Sequence, residues 1–477
     1  MKFNLDTLKE EILSYLGSEG FVVFHGYSRL GQNDSFVSWD SERYPDFRAF
    51  LAAARQAGVK LIVYHERVFS RGLVEEAVAR LEGANLTGED RRALERRVRE
   101  FRPYDGFTCA LEPLGLTPPA ARVLLARGYQ TPEAARRFLH PSLEDLSSPA
   151  LMLGMEPALE RVRRAIAGEE KILLYGDYDV DGTTAVVILK TAIELAGGQA
   201  AFHIPHRLTD GYGMQTEVVE RAAAEGVTLV VSVDTGIRAA GVVRRAGELG
   251  IDVIVTDHHP PEAELPPALA VLNPKQPACP YPEKNLSGVG VAFKLVEALL
   301  GSLGWPPEKL QRMLRSFLKL VAIGTVADVV PLTGENRVLV KFGLAELRRV
   351  RNPGLRALLE VAGFPEGAIP SAAQVAFRIA PRLNAAGRMA EADRVIRLLV
   401  TPDETEARRL AGELHALNAQ RQQTENEIVQ EILAACLRAP VTDRQAALVF
   451  SGRDWHRGVV GIVAARLVER FHRPVLV

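Results

Sequence analysis

KILLYGDYDVDG, residues 171–182, joins a strand-length apolar run to a turn with aspartates on alternate positions, Asp177, Asp179 and Asp181, and stops at a glycine. The runs AAFHIP (200–205), VTLVVSV (227–233) and IDVIVT (251–256) are also of strand length, with helical stretches near 183–197, 215–225 and 237–249 between them. Strand and helix in alternation predict an α/β fold, a parallel sheet with helices on its faces. VTLVVSV leads straight into Asp234, and IDVIVT straight into Asp257, His258 and His259. In open parallel sheets ligands bind outside the carboxyl ends of the strands, so these separate stretches are expected to converge on one crevice. Asp328, in GTVADVVPL after an apolar helical run, adds a further carboxylate.

The bland alternative for DYDVDG is a calcium loop, because D-x-D-x-D-G opens the EF-hand pattern. That pattern needs a glutamate at loop position twelve and a helix on each side. Position twelve counted from Asp177 is Ile188, and a strand precedes the loop. Any single aspartate here could be a helix cap or a turn former, but placement of so many at strand ends argues against that for the set. Crowded carboxylates cannot all stay ionised without compensation, and bound cations supply it. Carboxylate and imidazole without sulfur suit magnesium or manganese, and the imidazoles tilt the choice toward manganese. Two such ions about 3.5–4 Å apart make a phosphoryl-transfer site. Adjacent side chains point in different directions, so one of the two histidines is expected to bind metal, with His258 favoured; the other would orient a ligand or touch substrate.

With 477 residues the chain exceeds one ordinary core, and two or three domains are expected. Lysine plus arginine (58) nearly balance aspartate plus glutamate (59), so no global field draws the protein to nucleic acid or an anionic membrane. No apolar run approaches the length of a membrane span, and the first residues lack a secretory pattern, so the cytoplasm is the expected location. Cys109, Cys279 and Cys436 are scattered with no C-x-x-C, which excludes a thiolate zinc cluster and a disulfide framework.

Residues 1–115 read as a small α/β domain without recognisable chemistry: helices over 5–16 and 45–57, strands FVVFHG, FVSW and VKLIVYH, and helices from about 70 and from Thr87. A proline-containing stretch, LEPLGLTPPAAR, marks the boundary, and two short helices come after it. Residues 116–402 hold the alternating unit and a mainly helical extension, 403–438 a long polar connecting helix, and 439–477 the start of a second α/β lobe. This lobe has a strand AALVF, a helix over 458–471, and RPVLV, inside which the chain ends; a last domain cut short is the expectation. SGVGVAFK opens a helix with glycines that let backbone amides approach an anion, though Phe293 breaks any dinucleotide fingerprint. Arg378, Arg382 and Arg388 cluster with Asn384 in a candidate phosphate cradle. No Walker loop is present, so ATP-driven work has no support.

GDYDVDGTT, VDTG, TDHH and GTVADVVPL, in this order, resemble the motifs of the DHH phosphoesterase superfamily. ARGYQTPEAARRFLHPSLEDL, LNPKQPACPYPEKNLSGVGVAFK, RIAPRLNAAGRM, LNAQRQ and WHRGVVGIVAARLVERFHRPVLV are similar to segments of the RecJ family of exonucleases specific for single-stranded DNA. The resemblance runs from about residue 117 to the end and leaves the first 115 residues out. It implies two divalent ions, Mn2+ or Mg2+, held by Asp179, Asp181, Asp234, His258 and Asp328, with Asp177, Asp257 and His259 joining Asp179 and Asp181 in catalysis. Tyr175 stands where some superfamily members carry a ligand histidine. On the substrate side the resemblance supports Arg378, Arg382, Asn384 and Arg388, and adds His456 at the scissile phosphate or the base stack. It further implies 5′ to 3′ release of mononucleotides in DNA repair and recombination, a monomer, and a single-strand-binding protein and a helicase as partners. Family members continue into the rest of the second lobe, of DHHA1 type, and an oligonucleotide-binding barrel. The alternatives are a related phosphodiesterase of short oligonucleotides, cyclic dinucleotides or pyrophosphate, and a non-catalytic DNA-binding scaffold; scaffold relatives have lost metal ligands that this chain retains.

Overall fold

The computed structural model describes residues 114–477 apart from 208, 212 and 443. The elements expected between residues 5 and 113 lie outside the described residues. The chain divides into two compact units, Met1–Arg136 and Arg137–Val477, a division later than the boundary expected at 115/116. In the first, α1 (Pro118–Ala126) opens on prolines, whose missing N–H is no loss in a first turn. Helix α2 (Pro132–Leu139) starts there and runs into the second unit.

The second unit opens with α3 (Met155–Ala167) and a five-stranded sheet, all parallel, in the order β2-β1-β3-β4-β5. The strands are β1 (Lys171–Gly176), β2 (Ala200–His203), β3 (Val227–Val233), β4 (Asp252–Thr256) and β5 (Ala270–Leu272). Helices α4 (Val180–Leu195), α5 (Thr216–Ala224) and α6 (Ala240–Glu248) connect β1 through β4. Side chains alternate across the pleat. Ile172, Leu174, Leu229, Val231, Val233 and Ile254 join one core, and Leu173, Tyr175, Val230, Val253 and Val255 the other. A sheet covered on both faces needs apolar residues at every position, which is why its strands read as continuous runs. Helix α4 is buried along nearly its whole first three turns, because α7 (Gly288–Gly301) and α8 (Pro307–Ala327) cover the side that the sheet does not.

This strand order reverses direction between β1 and β3, and such a switch point leaves a crevice at the carboxyl ends of the two strands. Asp177 directly follows β1, and Asp234 directly follows β3.

The helical extension continues with α9 (Gly334–Glu346) and α10 (Pro353–Val361). A short turn, Ala372–Gln374, and a π-helical turn, Val375–Ile379, lead into α11 (Ala380–Met389), followed by α12 (Asp393–Val400). Helix α13 (Glu404–Arg438) has 35 residues, about 50 Å of rod. Its first half packs on α10, α11 and α12; its second half joins α14 (Arg457–Phe471) and the parallel pair β6 (Leu448–Val449) and β7 (Val475–Leu476) in a small separate core. Among the described residues no helix is long and apolar enough to cross a membrane.

Candidate metal centre and its arginine-lined cleft

Each acidic group is placed by a different local device. Asp179 is the N-cap of α4, its Oδ1 accepting from the Gly182 amide at 3.0 Å, so it has the cap role that sequence reading treated as the bland alternative. Asp181, at the first turn of the same helix, accepts from the amides of Gly288 at 2.6 Å and Val289 at 2.9 Å. The anion expected at the glycine-rich start of α7 is therefore a carboxylate of the protein itself, held where helix amides and dipole favour negative charge. Asp234 ends β3 in the left-handed region, φ 60°, a backbone state uncommon outside glycine and found at sites where surrounding structure enforces it. Gly288 lies against it so closely that a Cβ there would sit 2.6 Å from Asp234 Oδ1. Asp328 caps the carboxyl end of α8, and Val329 after it, at φ 63°, turns the chain sharply away.

These devices gather the groups. His258 Nε2 lies 3.1 Å from Asp234 Oδ1, 3.7 Å from Asp328 Oδ2 and 3.8 Å from Asp181 Oδ2. Three overlapping triads each offer ligand atoms within 4.8 Å of one another: Asp177, Asp179 and Asp234; Asp181, His258 and Asp328; and Asp234, His258 and His259. Asp177 Oδ1, Asp234 Oδ1, Asp328 Oδ2 and His258 Nε2 are buried without a hydrogen-bond partner. Buried polar atoms are nearly always satisfied, so several orphans gathered in overlapping triads fit cations of the oxygen-and-imidazole kind. Asp234 and His258 each belong to two of these triads.

Asp257 is positioned otherwise. It accepts from the amides of His258, His259 and Ile237, and His259 Nδ1 lies 2.7 Å from its Oδ1, so its carboxylate braces the loop instead of facing the pocket centre. Tyr175, buried in the smaller core, donates to the Gly213 carbonyl and accepts from the Gln215 amide, so its hydroxyl is already engaged.

The electrostatics match a site built for cations. Burial, with the Asp179 charge, pushes both Asp177 and Asp328 up to about 7. Burial also lifts Asp181 and Asp234 well above the carboxylate range, helped by Asp328 for the first and Asp181 for the second. Burial, then the neighbouring His259, lowers His258 to about 4, leaving its imidazole neutral and able to act as a ligand. Burial would raise Asp257, but its hydrogen bonds from His259 and Ile237 outweigh this and hold it low, while the same Asp257 contact raises His259. Divalent cations would reverse the logic for the four raised acids.

The substrate-side residues do not form one cradle. Arg378 donates to the carbonyls of Ala362 and Gly363 and lies over the Phe364 ring, so it ties α10 to the π-helical turn. Arg382 donates to the Arg378 carbonyl and to His415. His456 is the N-cap of α14, accepting from the Gly458 amide at 3.1 Å. Arg388 and Asn384 alone among the five line a cleft of about 570 Å³, together with Phe377, Arg421 and Arg466. Arg388 donates to the Gly458 carbonyl and feels the Asp179 charge, which connects cleft and acidic pocket. Sequence reading missed Phe377, Arg421 and Arg466, since an arginine or phenylalanine in a helical stretch carries no local mark. It also missed Arg207, which lies over the Tyr178 ring at 4.7 Å beside the acidic turn.

Residues 171–325 match the DHH family, N-terminal domain. The single-stranded-DNA-specific exonuclease RecJ of Bacillus subtilis is 44% identical over 366 residues, 77% of this chain and 45% of that protein. A crystal structure of exonuclease RecJ bound to manganese aligns with a TM-score of 0.62 at 40% identity over 70% of this chain and 81% of that one. RecJ of Thermus thermophilus in complex with Mn2+ aligns at 0.64 and 38% identity over 77% of this chain and 51% of that one. Its complex with Mg2+ aligns at 0.57 and 35% identity, over 77% and 48%. The chain thus spans about half the length of the Bacillus and Thermus relatives it matches. With a parallel DHH sheet carrying the acidic pocket at its switch point and this level of identity across three quarters of its length, the chain belongs to the RecJ family.

Proposed function

We propose that this chain carries the catalytic core of a metal-dependent exonuclease that hydrolyses phosphodiester bonds of single-stranded DNA. The observation that carries the reading is the gathering of Asp177, Asp234, Asp328 and His258 into overlapping triads with buried ligand atoms that lack hydrogen-bond partners. Asp177, Asp179 and Asp234 would hold one Mn2+ or Mg2+, and Asp181, His258 and Asp328 the other. Bound there, such a pair supplies Lewis acidity to phosphoryl oxygens and lowers the pKa of an attacking water. The chain's own contribution is orientation. Asp257 fixes the His259 ring and favours its protonated form, so that His259 can donate a hydrogen bond, or a proton, to a phosphate or leaving oxygen. Backbone amides hold Asp181 in place, so that its charge does not wander when a substrate phosphate enters.

A cleft of about 570 Å³ lined by Arg388, Arg421 and Arg466 lies beside the pocket, and together with the likeness to RecJ proteins it supports a single strand as substrate. Attack from the 5′ end with release of mononucleotides, a role in repair and recombination, and work in the cytoplasm as a monomer alongside a single-strand-binding protein and a helicase complete the proposal. The likeness to RecJ proteins supports them.

The test is hydrolysis of a 5′-labelled single-stranded oligonucleotide with Mn2+, compared with the duplex, with a dinucleotide, and with Asp179→Ala. Metal-dependent loss of label from the single strand alone, absent in Asp179→Ala, is the expected result. Equal rates in the variant, or preference for the dinucleotide, overturn the reading.

A further inference from the structure

We propose that the hydroxyls of Ser287 and Thr325 clamp α7 and α8 at a fixed spacing, and that this clamp keeps the acidic pocket tight enough to hold Mg2+ as well as Mn2+. Both are positioning residues that act through Asp181 and Asp328. The identity of the ions rests on the two-ion reading above; the clamp itself rests on geometry.

Ser287 is the N-cap of α7, and its hydroxyl accepts from the Gly290 amide at 3.2 Å. The next two residues, Gly288 and Val289, supply the amides that hold the Asp181 carboxylate. Thr325 lies in the last turn of α8, three residues before Asp328. The two side chains are fully buried, and their hydroxyl oxygens meet at 2.8 Å. One hydrogen bond therefore joins the support of one ligand to the helix that ends in another. The way Thr325 turns is informative. Thr183, Thr184 and Thr191 all direct their hydroxyls to the carbonyl four residues earlier, the usual arrangement for a threonine inside a helix. Thr325 instead reaches across to a different helix.

The packing around this bond makes the spacing matter. At Gly324 a Cβ would lie 2.5 Å from Thr184 Oγ1, 2.8 Å from Val289 Cγ1 and 3.1 Å from Asp181 Oδ1, so α4, α7 and α8 meet there with no room for a side chain. The Asp328 amide donates to the Gly324 carbonyl at 2.9 Å, so the residue that touches Asp181 also sets the position of Asp328. His258 Nε2 is 3.8 Å from Asp181 Oδ2 and 3.7 Å from Asp328 Oδ2. A small slide of α7 along α8 would shift one carboxylate against the other, and the Ser287–Thr325 bond resists that slide. The two ions would feel it differently. Mg2+ is small and demands near-ideal octahedral geometry from its oxygen ligands, whereas Mn2+ also gains from the His258 imidazole.

The test measures ion affinity of the full chain without DNA, Mn2+ by electron paramagnetic resonance and Mg2+ by competition against it. Thr325→Val keeps the shape of the side chain and removes the hydroxyl. Its Mg2+ affinity is expected to fall by about 10- to 100-fold, the scale on which metal sites lose affinity when a group orienting a ligand is removed, with Mn2+ affinity falling far less. Thr325→Ser is expected to restore the wild-type preference. Ser287→Ala breaks the same bond from the other side and should shift the preference in the same direction. Thr191→Val, which removes a hydroxyl bonded within α4, should leave it unchanged. Equal losses of both ions in Thr325→Val and Ser287→Ala, no loss in either, or a wild-type chain that binds Mn2+ but not Mg2+, overturn the clamp and leave the nuclease reading standing. The expected shift in a chain that does not cut a single strand overturns the nuclease reading and keeps the clamp. A wild-type chain that binds neither ion overturns both.

Discussion

The acidic pocket and the arginine-lined cleft lie side by side, carry opposite charge, and are built in opposite ways. In the pocket the carboxylates project from the ends of β1 and β3, from the N-terminal turn of α4 and from the end of α8, and backbone amides, a cap and a left-handed residue fix each one. In the cleft the groups are long side chains from α11, α13 and α14: Arg421 and Arg466 are oriented through Glu425, and Arg388 by the Gly458 carbonyl. A pocket for small hard ions must hold its ligands to tenths of an ångström, and only backbone placement does that. A cleft for a flexible strand needs charge and a surface, which arginines held by other side chains supply.

The largest expected effect breaks the pocket and spares the cleft. Gly288→Ala places a methyl group against Asp234 Oδ1, and the displacement of that carboxylate is expected to cut Mn2+-dependent hydrolysis by about 10- to 100-fold. Metal titration should show a matching loss of affinity, with strand binding in EDTA intact. A Gly288→Ala enzyme of normal metal affinity would mean that Asp234 is not a ligand.

A second prediction uses protons to sharpen the contrast. Asp177 and Asp328 have folded pKa values near 7, above the unfolded carboxylate value of about 4. Between those limits the folded state binds more protons than the unfolded one, so without metal the stability these acids contribute is full below about pH 4 and is lost as pH rises through 7. The metal-free protein should therefore melt lower at pH 8 than at pH 5, and Mn2+ should reverse the loss at pH 8. Asp328→Asn should flatten the metal-free profile, which calorimetry with and without EDTA would reveal. The cleft contains no aspartate of the acidic pocket, so strand binding through its arginines should not track this profile.

Two smaller effects separate the arginines that the sequence had grouped. Arg388→Ala should raise KM for the single strand by about tenfold, the scale of one charge-assisted phosphate contact, with a small change in thermal midpoint. Arg378→Ala should do the reverse, lowering stability by about 1–2 kcal/mol through its lost carbonyl contacts and leaving KM unchanged. Smallest of all, His456→Ala should cost about 1 kcal/mol as a lost helix cap. A large fall in kcat in that variant would instead place His456 at the reacting phosphate.

The parallel sheet, and the gathering of the acidic and imidazole residues at one edge of it, were legible in one dimension. Strands buried on both faces must be apolar throughout, and a parallel sheet presents every carboxyl end on one edge, so the residues just past those ends declare themselves in the order of the chain. His258 as the inward histidine of the pair was legible too. The destinations of the long side chains, by contrast, were set by packing in three dimensions. That packing gave Asp257 to the loop, the α7 amides to Asp181 and Arg378 to two carbonyls, and it opened the cleft around Phe377, Arg421 and Arg466, which come from helical segments far apart in the chain. The reason is reach: a short aspartate is committed by its backbone, while an arginine or an exposed ring has its partner chosen by whichever helices pack against it.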